Sequence, residues 1–284
     1  MQTRININGV ITAAGEARIS VLDHGLLFGD SVYETLRTYQ GKPFLFSRHF
    51  ARLQHSAEGI HLDLPWSKAE TLAQIQRTLL PAECRIRLMI TRGIGELTAE
   101  PETCTDPTPI IIVVPLRPLP EQVYEEGVEV VISSVRRSQR FADIKSGSLI
   151  HQVLAFREAK AKGAFEAILL TADEKLSDGI TSNIYLVQEG KLMTPSRDAG
   201  IVAGITRGVV LGLARDMGLP VVEGLFNANE IPKADEMFLT STTREVVPIV
   251  RVDGKPVGAG RPGPIARQLL EAYRSAVQRL VKED

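Results

Sequence analysis

The stretch Ala142-Asp-Ile-Lys-Ser-Gly-Ser-Leu149 places a lysine, Lys145, just ahead of a predicted helix. Ile144 before it, and Val153 and Phe156 in the helix, indicate an apolar setting, and desolvation favours the neutral, nucleophilic form of an amine. A lysine is ordinarily a solvated surface residue with no chemical role. The residues that follow Lys145 in the chain therefore decide what this lysine does.

Three polar patches follow Lys145, and each has a plain structural explanation. Leu176-Ser-Asp-Gly-Ile-Thr-Ser-Asn183 contains Asp178 before a glycine, as a turn between two strands often does. Gly204-Ile-Thr-Arg207 opens a predicted helix, where a cap is expected but where N–H groups also bind phosphate. Thr240-Ser-Thr-Thr243 adds hydroxyls after an apolar strand. Each patch is weak evidence alone, but three such patches that follow one lysine with apolar neighbours indicate that they bind the same ligand.

A phosphorylated aldehyde accounts for the whole set. Pyridoxal phosphate requires a lysine amine for its aldehyde, an acidic partner for its pyridine nitrogen, and N–H and hydroxyl donors for its phosphate. We therefore predict this cofactor, with Lys145 as its Schiff-base lysine and Asp178 beside the pyridine nitrogen. The predicted phosphate donors are Ile205, Thr206, the hydroxyls of Ser241 and Thr242, and the guanidinium of Arg52 on an earlier helix.

The composition excludes several other classes of protein. The chain has 284 residues, 44% hydrophobic and 24% charged, which is ordinary for a globular protein of about two domains. A net charge of −1 provides no basic field for nucleic acid or an anionic membrane. Cys84 and Cys104 are far apart and form no metal motif, and the histidines lack metal spacing, so we predict no metal. Without a signal peptide or long apolar run, we expect a cytoplasmic protein.

The order of predicted elements indicates a mixed α/β protein. Asn8-Gly9 between alternating apolar residues predicts a hairpin, and Ser67 with Glu70 predicts a capping box. Ser47 is the expected cap of an earlier helix, and Gly218 the stop of a later one. Pro115-Leu-Arg-Pro-Leu-Pro120 favours extended chain. We therefore predict a smaller N-terminal α/β domain over 1–115, a linker over 116–120 and a larger C-terminal cofactor-binding domain over 121–284.

The same patches, taken together, resemble the class IV aminotransferases, the family of pyridoxal-phosphate fold type IV. The resemblance runs from about residue 23 to 247. It is carried by the segments 23–34, 49–53, 143–146, 182–183, 204–207 and 240–243. It implies a homodimer in which Lys145 holds the cofactor and shuttles a proton, Arg52, Ile205, Thr206 and Thr242 hold the phosphate, and Asp178 occupies the pyridine-nitrogen position.

Two residues depart from the family pattern. The position of Asp178 is normally glutamate, so the carboxylate here is one methylene shorter. Ile150 stands where branched-chain enzymes carry a tyrosine, and an aliphatic residue there resembles the D-amino acid enzymes. Both departures leave the family assignment intact, but they leave the subtype open.

The resemblance also suggests a substrate pocket. Tyr33-Glu-Thr-Leu-Arg37 is similar to the Phe-Glu-Gly-x-Arg segment of branched-chain enzymes, and Thr91-Arg-Gly-Ile-Gly-Glu-Leu97 lacks the Arg-x-His pair of D-amino acid transaminases. We therefore predict amino transfer between an L-amino acid of branched-chain type and 2-oxoglutarate. The predicted substrate-binding residues are Phe28, Tyr33, Arg37 and Arg87. The alternatives are an aminodeoxychorismate lyase, a D-amino acid or amine transaminase, and a weakened or unrelated binding protein.

Overall fold

The computed structural model describes residues 3–138 and 141–283 and divides into two compact units. The first unit comprises Met1–Arg117, Ile144–Leu149 and Gln278–Asp284, as far as these are described, and the second comprises Pro118–Asp143 and Ile150–Val277 likewise. The chain first passes between the units within the predicted linker. The segment that carries Lys145 belongs to the first unit, whereas the predicted division assigned it to the second domain.

The first unit contains a six-stranded sheet. Its elements are β1 (Arg4–Ile7), β2 (Val10–Ala13), α1 (His24–Leu27), β3 (Ser31–Tyr39), β4 (Lys42–Pro43), α2 (Phe46–Glu58), α3 (Lys68–Thr78), β5 (Cys84–Thr91) and β6 (Thr108–Pro115). The strand order is β2-β1-β6-β5-β3-β4, and every neighbouring pair is antiparallel.

Side-chain alternation along β3 separates the two faces of this sheet. Val32 and Leu36 belong to the core that α2 and α3 cover, together with Phe50, Leu53 and other apolar residues. Tyr33, at an odd position, lies on the opposite face. In register with it across β5 is Met89. The sheet therefore has one face under helices and one face that presents Tyr33.

The second unit contains a nine-stranded mixed sheet. Its elements are α4 (Glu121–Glu126), β7 (Val128–Arg137), α5 (Ile150–Ala161), β8 (Glu166–Thr171), β9 (Leu176–Gly179), β10 (Asn183–Gln188), β11 (Lys191–Pro195), α6 (Ile205–Asp216), β12 (Val221–Gly224), β13 (Glu236–Ser241), β14 (Glu245–Val252), β15 (Lys255–Pro256) and α7 (Pro264–Leu280). The order is β12-β11-β10-β13-β14-β7-β8-β9, with β15 on β14. β7, β14 and β8 run parallel.

Several local predictions are confirmed. Asn8 and Gly9 have φ of 51° and 83° in the turn of the β1–β2 hairpin, as a type I′ turn requires. The capping box of Ser67 and Glu70 opens α3. Gly218, with φ of 74°, follows α6. Turn and cap chemistry is local, and these residues determine it wherever the rest of the chain lies.

The predicted cap at Ser47 is wrong. A helix capped by Ser47 would begin at Arg48, whereas α2 begins two residues earlier, at Phe46, and its N-cap is Leu45, which has φ of 51° and makes no side-chain capping bond. Leu45 is buried, and Phe46, the first residue of the helix, packs in the core of the first unit. Among the described residues, no helix is long and apolar enough to cross a membrane.

Candidate active site

The lysine segment is hydrogen-bonded to β3. Tyr33 N–H donates to the Lys145 carbonyl at 2.9 Å, and Gly147 N–H donates to the Ser31 carbonyl at 2.8 Å. Lys145 N–H donates to Ser56 Oγ at 3.1 Å, from α2. The segment therefore lies beside β3 like a short additional strand, which fixes the backbone of Lys145.

Three predicted residues meet at the Tyr33 ring. Lys145 Nζ lies 4.6 Å from the ring centroid, and Arg87 Cζ lies 4.0 Å from the same centroid. Tyr33 is 8% exposed. Burial lowers the pKa of Arg87, which nevertheless remains charged because an arginine titrates far above neutrality. An amine, an aromatic wall and a guanidinium thus form one continuous patch.

The other two predicted substrate residues lie elsewhere. Arg37 is four residues along β3 from Tyr33, roughly 13 Å at the usual strand rise, and its guanidinium stacks on Tyr39 at 3.8 Å. Phe28 follows α1 and is 45% exposed, with its ring edge-on to His24 at 4.9 Å. The structure therefore groups Arg87, and not Arg37, with Tyr33 and Lys145.

Arg52 is held by a buried carboxylate. Its Nε and Nη2 each donate to Glu34 at 2.7 Å, and His49 Nδ1 lies 2.7 Å from Glu34 Oε2. Burial alone would raise the pKa of Glu34, but the charge and hydrogen bonds of Arg52, with those of His49, hold it far below its ordinary value. Burial lowers the pKa of His49, so this histidine is neutral and donates its Nδ1–H to the carboxylate.

Asp178 is buried in the second unit. It is 5% exposed, at the end of β9. Its Oδ2 accepts the Val202 N–H at 3.2 Å, and its Oδ1 lies 3.7 Å from Arg137 Nε. Arg137 is itself anchored, because Nε donates to the Gly200 carbonyl at 3.0 Å. One oxygen of the Asp178 carboxylate therefore accepts a backbone N–H, and the other faces a guanidinium.

The N-terminus of α6 brings N–H groups to the same part of the second unit. Gly204 is the N-cap and makes no side-chain capping bond, and the first intrahelical bond runs from Gly208 N–H to its carbonyl. The N–H groups of Ile205 and Thr206 therefore precede the helical ladder. An added Cβ at Gly204 would lie 2.1 Å from Asn183 Oδ1, so only glycine fits there.

Ser241 and Thr242 lie where β13 ends and the turn to β14 begins. Asn183, at the start of β10, pairs in register with Thr240 and donates its Nδ2–H to the Val202 carbonyl at 2.9 Å. This asparagine links the turn after β13 to the loop before α6. A carboxylate, two helix-terminal N–H groups and several hydroxyls are thus gathered in the second unit, and this set fits a phosphorylated pyridine cofactor.

The sequence did not single out the residues that hold the predicted site residues in place. These are Glu34 and His49 around Arg52, Arg137 beside Asp178, and Arg244 in the turn after Ser241. Glu34 and His49 lie within the segments that carry the family resemblance, but no local feature of the sequence marks their role. The two arginines have no local signature. Among the described residues, no three histidine, cysteine or acidic side chains are placed to hold a metal.

Comparison with known proteins now decides the family. Residues 31–252 match the family model described as amino-transferase class IV. The chain belongs to the class IV aminotransferase family. Membership confirms the predicted family, the mixed α/β fold of type IV, and the enzyme class, a pyridoxal-phosphate-dependent aminotransferase.

The relatives of this aminotransferase include branched-chain and D-alanine aminotransferases. A Methanocaldococcus jannaschii protein assigned as a branched-chain-amino-acid aminotransferase is 36% identical, covering 95% of each chain. The D-alanine aminotransferase of Bacillus licheniformis is 33% identical, covering 96% of this chain and 97% of the other. A solved structure of a T.th. branched-chain amino acid aminotransferase, complexed with N-(5'-phosphopyridoxyl)-L-glutamate, is 28% identical to this chain with a TM-score of 0.90. The match covers 97% of this chain and 94% of the other.

Proposed function

We propose that this enzyme transfers the amino group of an L-branched-chain amino acid to 2-oxoglutarate, with pyridoxal 5'-phosphate as cofactor. The observation that carries the proposal is the patch of Lys145, Tyr33 and Arg87, in which the lysine Nζ and the arginine Cζ both lie within 5 Å of one ring centroid. An amino acid with an apolar side chain requires at least three groups: an amine that reacts, an apolar wall for the side chain, and a cationic group that binds the carboxylate.

The residues toward the cofactor divide into three groups. Ile205 and Thr206 N–H groups, the hydroxyls of Ser241 and Thr242, and the Arg52 guanidinium hold its phosphate. Asp178 keeps a proton on its ring nitrogen. Lys145 holds its aldehyde carbon. When bound, pyridoxal phosphate supplies an electron-withdrawing ring that stabilises negative charge at the substrate α-carbon.

The proton transfer belongs to Lys145. Once the substrate amino group had displaced it from the aldehyde carbon, the Lys145 amine would take the proton from the substrate α-carbon and deliver it to that aldehyde carbon, as general acid–base catalysis at one nitrogen requires. The backbone of Lys145 is fixed on β3, so only the side chain moves between these roles. Arg87 orients the substrate through its carboxylate, and Tyr33 with Met89 forms the wall against its apolar side chain.

The L-configuration and the acceptor rest partly on the solved relative with the phosphopyridoxyl ligand. Its structure holds a phosphopyridoxyl group joined to L-glutamate, the amino acid that corresponds to 2-oxoglutarate. This chain shares that fold over nearly its whole length. The preference for a branched side chain rests on Tyr33 and Met89, which are opposite each other in the β3–β5 register.

A second candidate is D-alanine transamination. The Bacillus licheniformis relative is a D-alanine aminotransferase, and its 33% identity to this chain is close to the 36% of the Methanocaldococcus jannaschii relative. Ile150, an aliphatic residue at the first position of α5, is the chain's own feature that favours it. Aminodeoxychorismate cleavage remains a third alternative, because a lyase of this family would use the same cofactor contacts.

A substrate panel separates the three. The purified enzyme would be assayed with L-leucine, L-isoleucine or L-valine plus 2-oxoglutarate, with D-alanine plus 2-oxoglutarate, and with aminodeoxychorismate alone. The highest kcat/KM with an L-branched-chain amino acid is the expected result. A higher kcat/KM with D-alanine would replace the proposal by the second candidate, and pyruvate release from aminodeoxychorismate without a keto acid would establish the lyase.

We also propose that the enzyme is a homodimer. Four apolar side chains on α5, Ile150, Val153, Leu154 and Phe156, are between 43% and 58% exposed. A contiguous apolar face of this kind is typical of a protein–protein interface, and a second copy is the partner that closed symmetry provides. Light scattering should give twice the mass of 31.1 kDa, and Phe156→Glu should shift the species toward monomer.

A cytoplasmic location stays a prediction, which subcellular fractionation tests.

A further inference from the structure

Arg244 joins three elements of the second unit. It lies in the turn between β13 and β14. Its Nη1 forms an ion pair with Glu166 Oε2 on β8, and its Nε donates to Ser241 Oγ at 3.0 Å. Its Nη2 donates to Thr181 Oγ1 at 2.6 Å and to the Thr181 carbonyl at 3.3 Å, in the turn after β9. One guanidinium thus connects the turn that follows Asp178 to the residue that ends β13.

The partner carboxylate of Arg244 also binds that turn. Glu166 is buried, and its Oε1 accepts the Thr181 N–H at 2.8 Å and the Ser182 hydroxyl at 2.9 Å. Both oxygens of the carboxylate are therefore satisfied. A buried ion pair contributes little net stability when its desolvation is counted, but it fixes the geometry of the groups that it bonds.

The bond to Ser241 determines which way its hydroxyl points. A hydroxyl has one proton to donate and two lone pairs to accept with. Because Ser241 Oγ accepts the Nε–H of Arg244, one lone pair is occupied and the O–H proton is directed to another acceptor. An anion such as a phosphate is an acceptor only, so this orientation suits it.

We propose that Arg244 is a positioning residue for the phosphate site. It orients the Ser241 hydroxyl as a donor to the cofactor phosphate and, through Glu166 and Thr181, holds the turn beside Asp178 at a fixed spacing from that hydroxyl. It does not itself contact the cofactor. This inference rests on the proposed function, in which Ser241 is a phosphate donor.

A residue that only supports the fold would weaken every ligand equally. A residue that positions a phosphate donor weakens pyridoxal 5'-phosphate and leaves pyridoxal, which lacks the phosphate, unaffected. The ratio of the two dissociation constants therefore separates the roles. It is measured by absorbance titration of the protein freed of cofactor, and it requires no turnover.

The variants are Arg244→Gln and Arg244→Lys, with Ser241→Ala and the Arg244→Gln/Ser241→Ala double. We expect the dissociation constant of pyridoxal 5'-phosphate to rise about tenfold in each single variant, the loss of one charge-assisted hydrogen-bonded donor. The dissociation constant of pyridoxal should stay within about twofold of its value in the unaltered protein. If Arg244 acts through Ser241, the double variant should be no weaker than Ser241→Ala. Arg244→Lys keeps the charge opposite Glu166 and guards against failure of Arg244→Gln to fold.

Arg274→Lys is the matched control. Arg274 also pairs with two carboxylates, Glu121 and Glu245, and stacks 4.7 Å from the Tyr124 ring, but it lies on α7. This variant should leave the ratio unchanged. If the dissociation constants of both ligands rise equally in the Arg244 variants, or if neither rises, the positioning role of Arg244 is overturned. The proposed function is not affected by that result. If the unaltered protein is not labelled at Lys145 by borohydride in the presence of the cofactor, the proposed function fails, and this inference fails with it.

Discussion

Glu34 and Arg52 form a two-pronged ion pair, with Nε and Nη2 of the arginine each 2.7 Å from a different carboxylate oxygen. The two residues come from β3 and α2, and Glu34 has no exposed surface. The pair holds the guanidinium plane in one orientation. In the proposed role of Arg52 as a phosphate donor, this ordered guanidinium would lose less side-chain entropy on binding than a flexible one.

Replacement of Arg52 should affect binding and stability together. Arg52→Gln should raise the dissociation constant of pyridoxal 5'-phosphate about ten- to a hundredfold, the value of a charge-assisted contact. It also leaves Glu34 buried without its partner, which typically costs about 3–5 kcal/mol of unfolding free energy. In the Glu34→Gln/Arg52→Gln double variant, stability should partly recover while cofactor binding stays weak. Unchanged cofactor binding in both variants would refute the phosphate role.

Lys145 should carry the cofactor. Borohydride reduction and peptide mapping should locate the phosphopyridoxyl group on Lys145, the lysine whose Nζ lies against Tyr33. Lys145→Ala should abolish turnover with little change in circular dichroism, because the lysine segment is attached to β3 by backbone bonds. Recovery of the label on Lys162 or Lys175, which pair with Asp253 and Asn227, would sink the assignment.

Asp178→Asn should lower kcat far more than it weakens cofactor binding. The amide oxygen can still accept the Val202 N–H, but an amide cannot hold a ring nitrogen protonated. Each pKa unit lost at that nitrogen is worth about 1.4 kcal/mol, or tenfold in rate. Asp178→Glu, which restores the usual family residue, should keep activity if the longer side chain is accommodated beside Arg137. Full activity in Asp178→Asn would make this residue a turn residue only.

Arg87 and Arg37 offer a matched pair on neighbouring strands. Arg87→Gln should raise KM for the amino acid and for 2-oxoglutarate by about tenfold or more, because it removes a charge-assisted contact to a carboxylate. Arg37→Gln should change KM less, since Arg37 stacks on Tyr39 away from Lys145. Steady-state kinetics with both substrates gives the comparison. The opposite ranking would transfer the carboxylate role to Arg37.

Acid should destabilise the enzyme in two stages. The pKa of His49 is lowered by burial, so the unfolded chain binds this proton near pH 6.5 while the folded chain does not. The stabilisation that comes from keeping His49 neutral is fully present above pH 6.5 and is lost as the pH falls below 6.5. The depressed pKa of Glu34 adds a second loss as the pH falls below about 4.5. Each proton lowers unfolding free energy by up to about 1.4 kcal/mol per pH unit.

Urea unfolding between pH 5 and 8 checks the first stage. His49→Gln keeps a donor for Glu34 but cannot titrate, so its stability should decline less between pH 6.5 and 5 than that of the unaltered protein. Identical pH profiles of the two proteins would contradict the assignment of this stage to His49.

A hairpin turn and a helix cap could be predicted from the sequence because their chemistry is local. Asn8-Gly9 and Ser67 with Glu70 specify a turn and a cap through their own backbone preferences. β3 was not predicted, although it is nine residues long. Its inward positions alternate Val32, Glu34, Leu36 and Thr38, so two of the four are polar and the strand lacks the apolar period that reveals a half-buried strand.

The candidate site shows the same division. Ile205 and Thr206 were predicted from a helix start, and the helix does start there. The bond between Arg244 and Glu166 spans 78 positions in the chain, and that between Arg137 and Asp178 joins separate strands. Such pairs depend on sheet order, which no short stretch of sequence encodes. The Lys145 segment likewise belongs to the first unit because of backbone bonds to β3.

Those backbone bonds separate two kinds of motion at Lys145. The Tyr33 and Gly147 amides exchange hydrogen with solvent only when the lysine segment detaches from β3, because each donates across that junction. Rotation of the Lys145 side chain about its four carbons leaves both amides bonded and takes place in nanoseconds. In the proposed mechanism the amine would therefore move from one partner to the next while its own peptide stays fixed, and its proton transfers would need no loop opening.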